Sequence, residues 1–232
     1  MRLNQYIAKS GTASRRKADV LIAEGLIKIN GKVVTNFGYQ LNDDDIVTYK
    51  GQVLSPSINI VYLLNKPKGY VCSNLDKHNK KTVFDLINSD SRLFTVGRLD
   101  RDTTGVLLIT NNGDLSYKLT HPKHRIEKKY YVTSKIDIDN ANLSLLKKGL
   151  RLDDGLFVKA DLRRLQKDDG KIFWDISLTE GKNREIKRIF IHFKSKVLAL
   201  HRYQFANIQT GKLKVGDYRK LKKNDLQKMG IK

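Results

Sequence analysis

The stretch GRLDRDTTGVLLI, residues 97–109, combines a polar loop with a strongly apolar segment. Its second half, residues 106–109, is a continuous apolar run, which is typical of a strand buried on both faces. Its first half places one carboxylate, Asp100, between Arg98 and Arg101, in a loop that leads into this strand. Loops beside a rigid sheet often carry catalytic groups. An aspartate between two arginines is nevertheless more often a surface ion pair, so both interpretations stay open on this stretch alone.

Short apolar segments on either side of this stretch predict further strands of a mixed β-sheet. They cover residues 60–64, 130–133, 156–165, 172–178 and 197–208. Asn112-Gly113 predicts a turn, and Asp114 is expected to cap a helix over residues 115–119. A second helix is predicted with Ile186, Ile189, Phe190 and Phe193 on its apolar face. The whole pattern predicts an α+β fold, in which helices flank a mixed sheet.

The first 34 residues predict a small unit of their own. Apolar residues at helical spacing predict one helix, Ser14 is expected to cap a second, and Asn30-Gly31 predicts a tight turn between two short strands. The second helix opens with three cations, Arg15, Arg16 and Lys17. Cations in a first turn oppose the helix dipole, so contact with phosphate is the simplest reason for their presence.

This N-terminal sequence, RLNQYIAKSGTASRRKADVLIAEGLIKINGKVV at residues 2–34, resembles the S4-type RNA-binding domain. The helix start with its two arginines and the Ile-Asn-Gly-Lys turn occur together at the expected separation. The resemblance implies RNA binding by Arg15, Arg16, Lys17 and Lys32. Ser55-Pro56-Ser57 is typical of a linker. We therefore predict an S4-type RNA-binding domain at residues 1–59 and a second domain at residues 60–232.

The overall charge points to a polyanionic partner. The chain has 232 residues, with 45 Lys and Arg against 24 Asp and Glu, a net charge of +21. A solvated basic surface is the alternative; a membrane surface is less favoured, since no basic segment has a broad apolar face. The single cysteine excludes an intrachain disulfide, and the five histidines have no metal-ligand spacing, so no metal site is predicted. With neither a signal peptide nor an apolar span, we expect a cytoplasmic protein.

Four segments in the second predicted domain identify it by resemblance. They are NKPKG at residues 65–69, GRLDRDTTGVLLITNNGD at 97–114, EKKYYV at 127–132 and EGKNREIKRIF at 180–190. In this order they resemble the motifs of the RsuA/RluB-type ribosomal RNA pseudouridine synthases. The resemblance extends over residues 60–209. It implies a pseudouridine synthase catalytic domain that isomerises one uridine in ribosomal RNA.

The resemblance also implies roles for individual residues. Asp100 is the expected catalytic carboxylate, and Tyr130 is the expected stacking platform for a uracil flipped out of the RNA. Lys187, beside the apolar face of its helix, is expected to pair with Asp100 and keep it ionised. Arg98 is expected to bind RNA near the flipped nucleotide. Arg184 and Arg188, which point away from the apolar face, are expected to bind RNA as well. Asp102 carries no role in the motif.

The isomerisation itself limits what the enzyme needs. The base leaves through N1, turns and rejoins through C5, which in principle requires no oxidant, metal or nucleotide cofactor. One ionised carboxylate and a pocket that excludes water suffice. Asp100 could attack the sugar C1′, attack the base C6 or remove a sugar proton, and the sequence leaves these three routes open.

Other functions remain open at this point. A catalytically silent rRNA-binding assembly factor would keep the fold, and a base-removing glycosylase would act on RNA through an activated water. Within the family, Leu200-His201-Arg202 favours the branch that modifies large-subunit (23S) rRNA over the one that modifies small-subunit (16S) rRNA. The expected partner is ribosomal RNA or an assembling ribosomal subunit, with no membrane contact, and the expected state is a monomer.

Overall fold

The computed structural model describes residues 1–73 and 81–230, which form two compact units. The first unit comprises Met1–Ile60, Ser89–Leu93 and Asn111–Gly113; the second comprises Val61–Asn88, Phe94–Thr110 and Asp114–Lys232. Both combine helices with β-sheet, and the larger sheet contains parallel and antiparallel pairs. The predicted α+β class is therefore confirmed.

The first unit packs two helices against a small antiparallel sheet. Its elements are α1 (Leu3–Lys9), α2 (Arg15–Ala23), β1 (Ile27–Ile29), β2 (Lys32–Val33), β3 (Val47–Tyr49) and β4 (Gln52–Val53), with strand order β2-β1-β3-β4. Apolar residues at helical spacing on α1 and α2 form its core with Ile27 and Val47. The Ser14 hydroxyl accepts a hydrogen bond from the backbone N–H of Lys17, at 3.2 Å, so the predicted cap is confirmed.

The second unit is built on one large mixed sheet. Its elements are β5 (Val61–Lys66), β6 (Phe94–Thr95), β7 (Thr104–Thr110), α3 (Gly113–Thr120, whose first residue belongs to the first unit), β8 (Lys128–Ser134), α4 (Asn140–Lys148), β9 (Leu150–Arg151), β10 (Phe157–Val158), β11 (Asp161–Asp168), β12 (Lys171–Leu178), α5 (Glu185–His192), β13 (Val197–Phe205), β14 (Ile208–Gln209), β15 (Tyr218–Lys220) and α6 (Lys223–Lys228). The main path of the sheet has the order β11-β12-β8-β13-β7-β5-β15. Short 3-10 turns cover Val83–Leu86 and Pro122–His124.

The parallel pairing of β13 with β7 depends on one glycine. Gly105 has a φ of +101° and lies opposite Arg202. A Cβ atom at this position would collide with the backbone carbonyl of Arg202, so a larger residue would push the two strands apart. Gly105 thereby allows Arg202 to lie directly beside the start of β7, where the Asp100 loop ends.

Three details differ from the sequence-based predictions. The strand predicted over residues 156–165 is interrupted between β10 and β11. The strand predicted over residues 197–208 ends at Phe205, because Ala206 and Asn207 take left-handed backbone conformations and turn the chain into β14. Asp114 lies inside the first turn of α3 and does not precede it, so it acts on the helix dipole from within the helix.

Helix α4 was not predicted, because its apolar pattern is weak. Only Leu146 is buried among its residues, and Asp139 caps it by accepting from the backbone N–H of Asn142 at 2.8 Å. In the described part of the chain, no helix is both long enough and apolar enough to cross a membrane.

Candidate active site

A buried lysine anchors the loop that carries Asp100. The Lys66 side chain is fully buried at the end of β5, and its ammonium donates to the carbonyls of Pro67, Arg101 and Thr103 at 3.1, 3.3 and 2.9 Å. Burial lowers the pKa of Lys66. Two of the three acceptors belong to the loop, so Lys66 fixes the loop backbone on both sides of Asp102.

Two carboxylates of this loop share one ammonium. Lys187 Nζ lies 3.1 Å from Asp100 Oδ2, so the expected contact between these side chains is present. The same Nζ also donates to both oxygens of Asp102, at 2.6 and 2.8 Å. The motif assigns Asp102 no role, but the structure places its carboxylate in contact with Lys187. Burial disfavours the charged form of Asp102, but the contacts with Lys187 outweigh it, and the pKa of Asp102 lies below its usual value.

Helix α5 presents Lys187 to this loop. Its inner face buries Ile186, Ile189 and Phe190, and Lys187 is buried beside them. The helix begins after Arg184, which has a left-handed backbone, and Glu185 accepts from the backbone N–H of Lys182 at 2.9 Å. Burial raises the pKa of Glu185. The fixed start of the helix thereby sets the position of Lys187, two residues further on.

Asp100 and Lys187 line a pocket of about 250 Å³. The loop before β7, the strands β8 and β13, and the start of α5 supply most of its wall. The lining residues include Arg98, Asp100, Pro122, Lys128, Tyr130, Leu178, Arg184, Lys187, Leu200, Arg202 and Phe205. Six of these eleven residues are charged and the other five are apolar or aromatic, so the wall combines charged groups with apolar surface.

Strand β8 points two side chains into this pocket. Successive residues of a strand alternate between faces, so Lys128 and Tyr130 share the buried face while Lys129 and Tyr131 lie on the other. Tyr130 is only 7% exposed. The Lys128 ammonium donates to the carbonyls of Ile126 and Thr179, at 2.8 and 3.2 Å. Burial lowers the pKa of Lys128 to about 8.

Strand β13 adds a buried guanidinium. Arg202 is 2% exposed, lies opposite Tyr130 in the sheet and donates from Nε to the carbonyl of Val106 at 2.7 Å. Its guanidinium carbon lies 4.8 Å from the ring centre of Phe205 and 6.0 Å from that of Tyr130. Its Nη2 atom is buried without a hydrogen-bond partner in the described part of the chain.

The remaining predicted residues lie in three different settings. Arg98 and Arg184 are exposed and line the pocket. Arg188, on α5, does not line it and donates from Nε to Asp154 at 2.6 Å. The predicted RNA-binding cations of the first unit are exposed: Arg15, Arg16, Lys17 and Lys32.

Four residues of the site have no role in the sequence-based prediction: Lys66, Asp102, Lys128 and Arg202. A cation at an inward-facing position of an apolar strand is the signal that Lys66, Lys128 and Arg202 share. Such a cation must find buried acceptors, because an unpaired buried charge is very costly. Asp102 offers no comparable signal, since its partner is 85 residues away in the sequence.

The second unit thus carries a pocket lined by one aspartate, one tyrosine and two buried lysines, Lys128 and Lys187. The comparisons define the class. The RNA pseudouridylate synthase family profile matches residues 60–192, and the S4 domain profile matches residues 1–47. The chain therefore belongs to the RNA pseudouridylate synthase family and carries an S4 domain.

Individual relatives match along the whole chain. The ribosomal large subunit pseudouridine synthase B of Bacillus subtilis is 37% identical, over 98% of this chain and 95% of its own. An uncharacterized RNA pseudouridine synthase of Aquifex aeolicus is 36% identical, over 99% of this chain and 93% of its own. A crystal structure of a pseudouridylate synthase superposes with a TM-score of 0.70 at 29% identity and covers 99% of both chains.

Proposed function

We propose that this enzyme isomerises a specific uridine of 23S ribosomal RNA to pseudouridine, with Asp100 as its catalytic carboxylate. The observation that carries the proposal is the contact of Asp100 with the buried ammonium of Lys187 at the wall of the pocket. The name of the Bacillus subtilis relative supports the large subunit as the source of the substrate. The same reaction on 16S rRNA and a silent rRNA-binding assembly factor are the alternatives.

The geometry suits the chemistry of this isomerisation. The ammonium of Lys187 lies beside Asp100, whose carboxylate could act as a nucleophile or a base. Lys187 is held by Asp102 as well, so it keeps an anionic partner while Asp100 reacts. Tyr130 offers a ring on which a flipped uracil would stack, which would offset part of the free energy of unstacking.

The surroundings of the pocket suit a polyanion. Arg98 and Arg184 are exposed where they line it. The exposed segment from His121 to Arg125 also reaches the pocket, through Pro122, and adds two more cations. The backbone of the RNA strand that enters the pocket would pass along these residues, with Arg188 further along α5.

The two predicted domains have separate roles in this proposal. Residues 1–59 capture RNA through the exposed cations Arg15, Arg16, Lys17 and Lys32, and residues 60–232 carry the chemistry. The partner is ribosomal RNA or an assembling subunit in the cytoplasm, and the enzyme acts as a monomer without a cofactor.

The test is a map of pseudouridines in rRNA from cells with and without this gene. One 23S position that loses its pseudouridine, and regains it when the wild-type gene but not Asp100→Asn is supplied, supports the proposal. Loss at a 16S position identifies the other substrate. An unchanged map, with an assembly defect that Asp100→Asn rescues, identifies a silent assembly factor. Mass analysis of the RNA product distinguishes isomerisation, which leaves the mass unchanged, from base removal.

A further inference from the structure

One residue of the pocket wall carries a buried donor atom that has no protein acceptor among the described residues. Arg202 lines the pocket, yet it is 2% exposed and its Nη2 atom has no hydrogen-bond partner in the described part of the chain. A buried donor without an acceptor destabilises the folded state. A ligand that brings an acceptor into the pocket removes this cost.

Arg202 is held in a fixed orientation. Its Nε–H bonds to the carbonyl of Val106, its guanidinium lies against the ring of Phe205, and its backbone lies beside Gly105. Arginine carries donors only and stays charged at any physiological pH. Nη2 is therefore a preorganised donor, which loses little side-chain entropy when an acceptor arrives.

The surroundings of Arg202 favour a neutral acceptor. Leu178, Leu200 and Phe205 line the same pocket and are almost fully buried. The buried cations Lys128 and Lys187 line the pocket as well, but a phosphate that reached Arg202 would have to lose its hydration among these apolar side chains, whereas a carbonyl oxygen loses far less. The ring of Tyr130, the proposed stacking platform for the base, lies 6.0 Å from the guanidinium of Arg202. The acceptor closest to such a ring is an oxygen of the base itself.

We propose that Arg202 Nη2 donates a hydrogen bond to the carbonyl oxygen at C4 of the target uracil and thereby selects uridine over cytidine. Cytosine carries an amino group at C4, so two donors would face each other and the buried cation would stay unpaired. Sites that place a buried donor against a substrate oxygen reject analogues that lack this oxygen strongly. This inference rests on the proposed uridine chemistry of the pocket, but it does not depend on which RNA is the substrate.

The direct test uses mononucleotides and the full-length, isotope-labelled protein. The side-chain N–H signals of Arg202, identified by their loss in Arg202→Lys, are followed by NMR during titration with uridine monophosphate, cytidine monophosphate and ribose 5-phosphate. We expect a shift with uridine monophosphate alone. An equal shift with cytidine monophosphate overturns the selection, and a shift with ribose 5-phosphate assigns the donor to the sugar or phosphate. No shift with uridine monophosphate overturns the proposal.

A kinetic test uses Arg202→Lys, which keeps the charge but shortens the reach of the donor. Pseudouridine formation on a 23S rRNA transcript should fall about 10- to 100-fold in kcat/KM, the loss typical of one hydrogen bond to a charged group. Arg219→Lys, in the same unit but outside the pocket, is the matched control and should act like the wild type. Wild-type kcat/KM in Arg202→Lys would contradict the proposal. A wild-type protein that leaves 23S and 16S rRNA unmodified would overturn the proposed function, while the mononucleotide result would still decide the role of Arg202.

Discussion

The buried cations of the second unit and the cations on α2 occupy opposite environments. Lys66, Lys187 and Arg202 are buried, and each donates to a named protein acceptor. Arg15 and Arg16 are exposed at the start of a helix whose dipole they oppose. Removing a buried cation should therefore change chemistry or folding, because its protein partners are left behind. Removing an exposed one should change mainly the affinity for RNA and its dependence on salt.

The largest effect is expected for a substitution of Asp100, the carboxylate that Lys187 contacts at the pocket wall. Asp100→Asn keeps the size of the side chain but removes its charge and its nucleophilic oxygen. Single-turnover pseudouridine formation should fall by about 10⁴-fold or more, as when a catalytic nucleophile is removed. RNA affinity should be unchanged or higher, since one anion near the phosphates is gone. Asp154→Asn, an exposed carboxylate paired with Arg188, serves as the control. Equal rates in Asp100→Asn and the wild type would remove Asp100 from the mechanism.

Lys187→Met should have the next largest effect. It leaves Asp100 and Asp102 close together without the ammonium that both contact. We expect kcat to fall about 10²- to 10³-fold, as for the loss of one preorganised electrostatic partner. The pKa of Asp102 should rise because it loses the ammonium that lowers it, so the acid limb of the pH–rate profile should move to higher pH if Asp102 must be ionised. Lys187→Arg should be milder but not silent. An unchanged rate and pH profile in Lys187→Met would show that another cation pairs with Asp100.

Asp102→Asn should have an intermediate effect, although its place in the motif suggests none. The amide keeps one acceptor but turns a donor toward the ammonium that both Asp102 oxygens now bind. We expect about a 10-fold loss in kcat with RNA affinity preserved, equivalent to roughly one charged hydrogen bond. To check this, kcat and KM are measured separately for Asp102→Asn and for Asp100→Asn, and the two variants are compared. A kcat equal to that of the wild type would mean that Asp100 alone is enough to hold Lys187.

Local patterns predicted much of the fold. The Ser14 cap, the strand over residues 106–109 and the apolar face of α5 follow from the period and type of adjacent residues. The turn at Ala206 and Asn207 did not, because neither residue marks a left-handed backbone as clearly as glycine does.

The features of the site also differ in whether the sequence could predict them. The contact between Asp100 and Lys187 was predicted from motifs, whereas the three-centre arrangement with Asp102 depends on how α5 approaches the loop. The unpaired Nη2 of Arg202 is likewise a property of three-dimensional burial. The residue type shows that a side chain is charged, but only the folded structure determines which partner that side chain contacts.

The buried side chain of Lys128 predicts a pH dependence of kcat/KM. Burial lowers its pKa to about 8, so its charge is present below pH 8 and is lost as the pH rises through that value. If this charge attracts the substrate, kcat/KM should fall above pH 8 and reach roughly a tenth of its neutral-pH level at pH 9, where about a tenth of the lysine is charged. Lys128→Arg keeps its charge at these pH values and should remove the alkaline limb. A limb that persists in Lys128→Arg has a different origin.

The smallest effect is expected for the exposed cations of α2. In Arg15→Gln/Arg16→Gln/Lys17→Gln, kcat at saturating RNA should stay unchanged, because no pocket residue is altered. RNA affinity should fall about 5-fold, and the slope of log K against log salt should become shallower by about 2 to 3 if each cation neutralises one phosphate. The matched control removes three exposed lysines of the second unit, as Lys148→Gln/Lys167→Gln/Lys171→Gln, which changes the net charge equally. The two triple variants are compared by binding titrations of one rRNA transcript at several salt concentrations. Equal slopes in both variants would mean that the cations of α2 contribute only to the overall charge. The contrast between cations that pair with protein groups and cations that bind phosphate would then apply to the second unit alone.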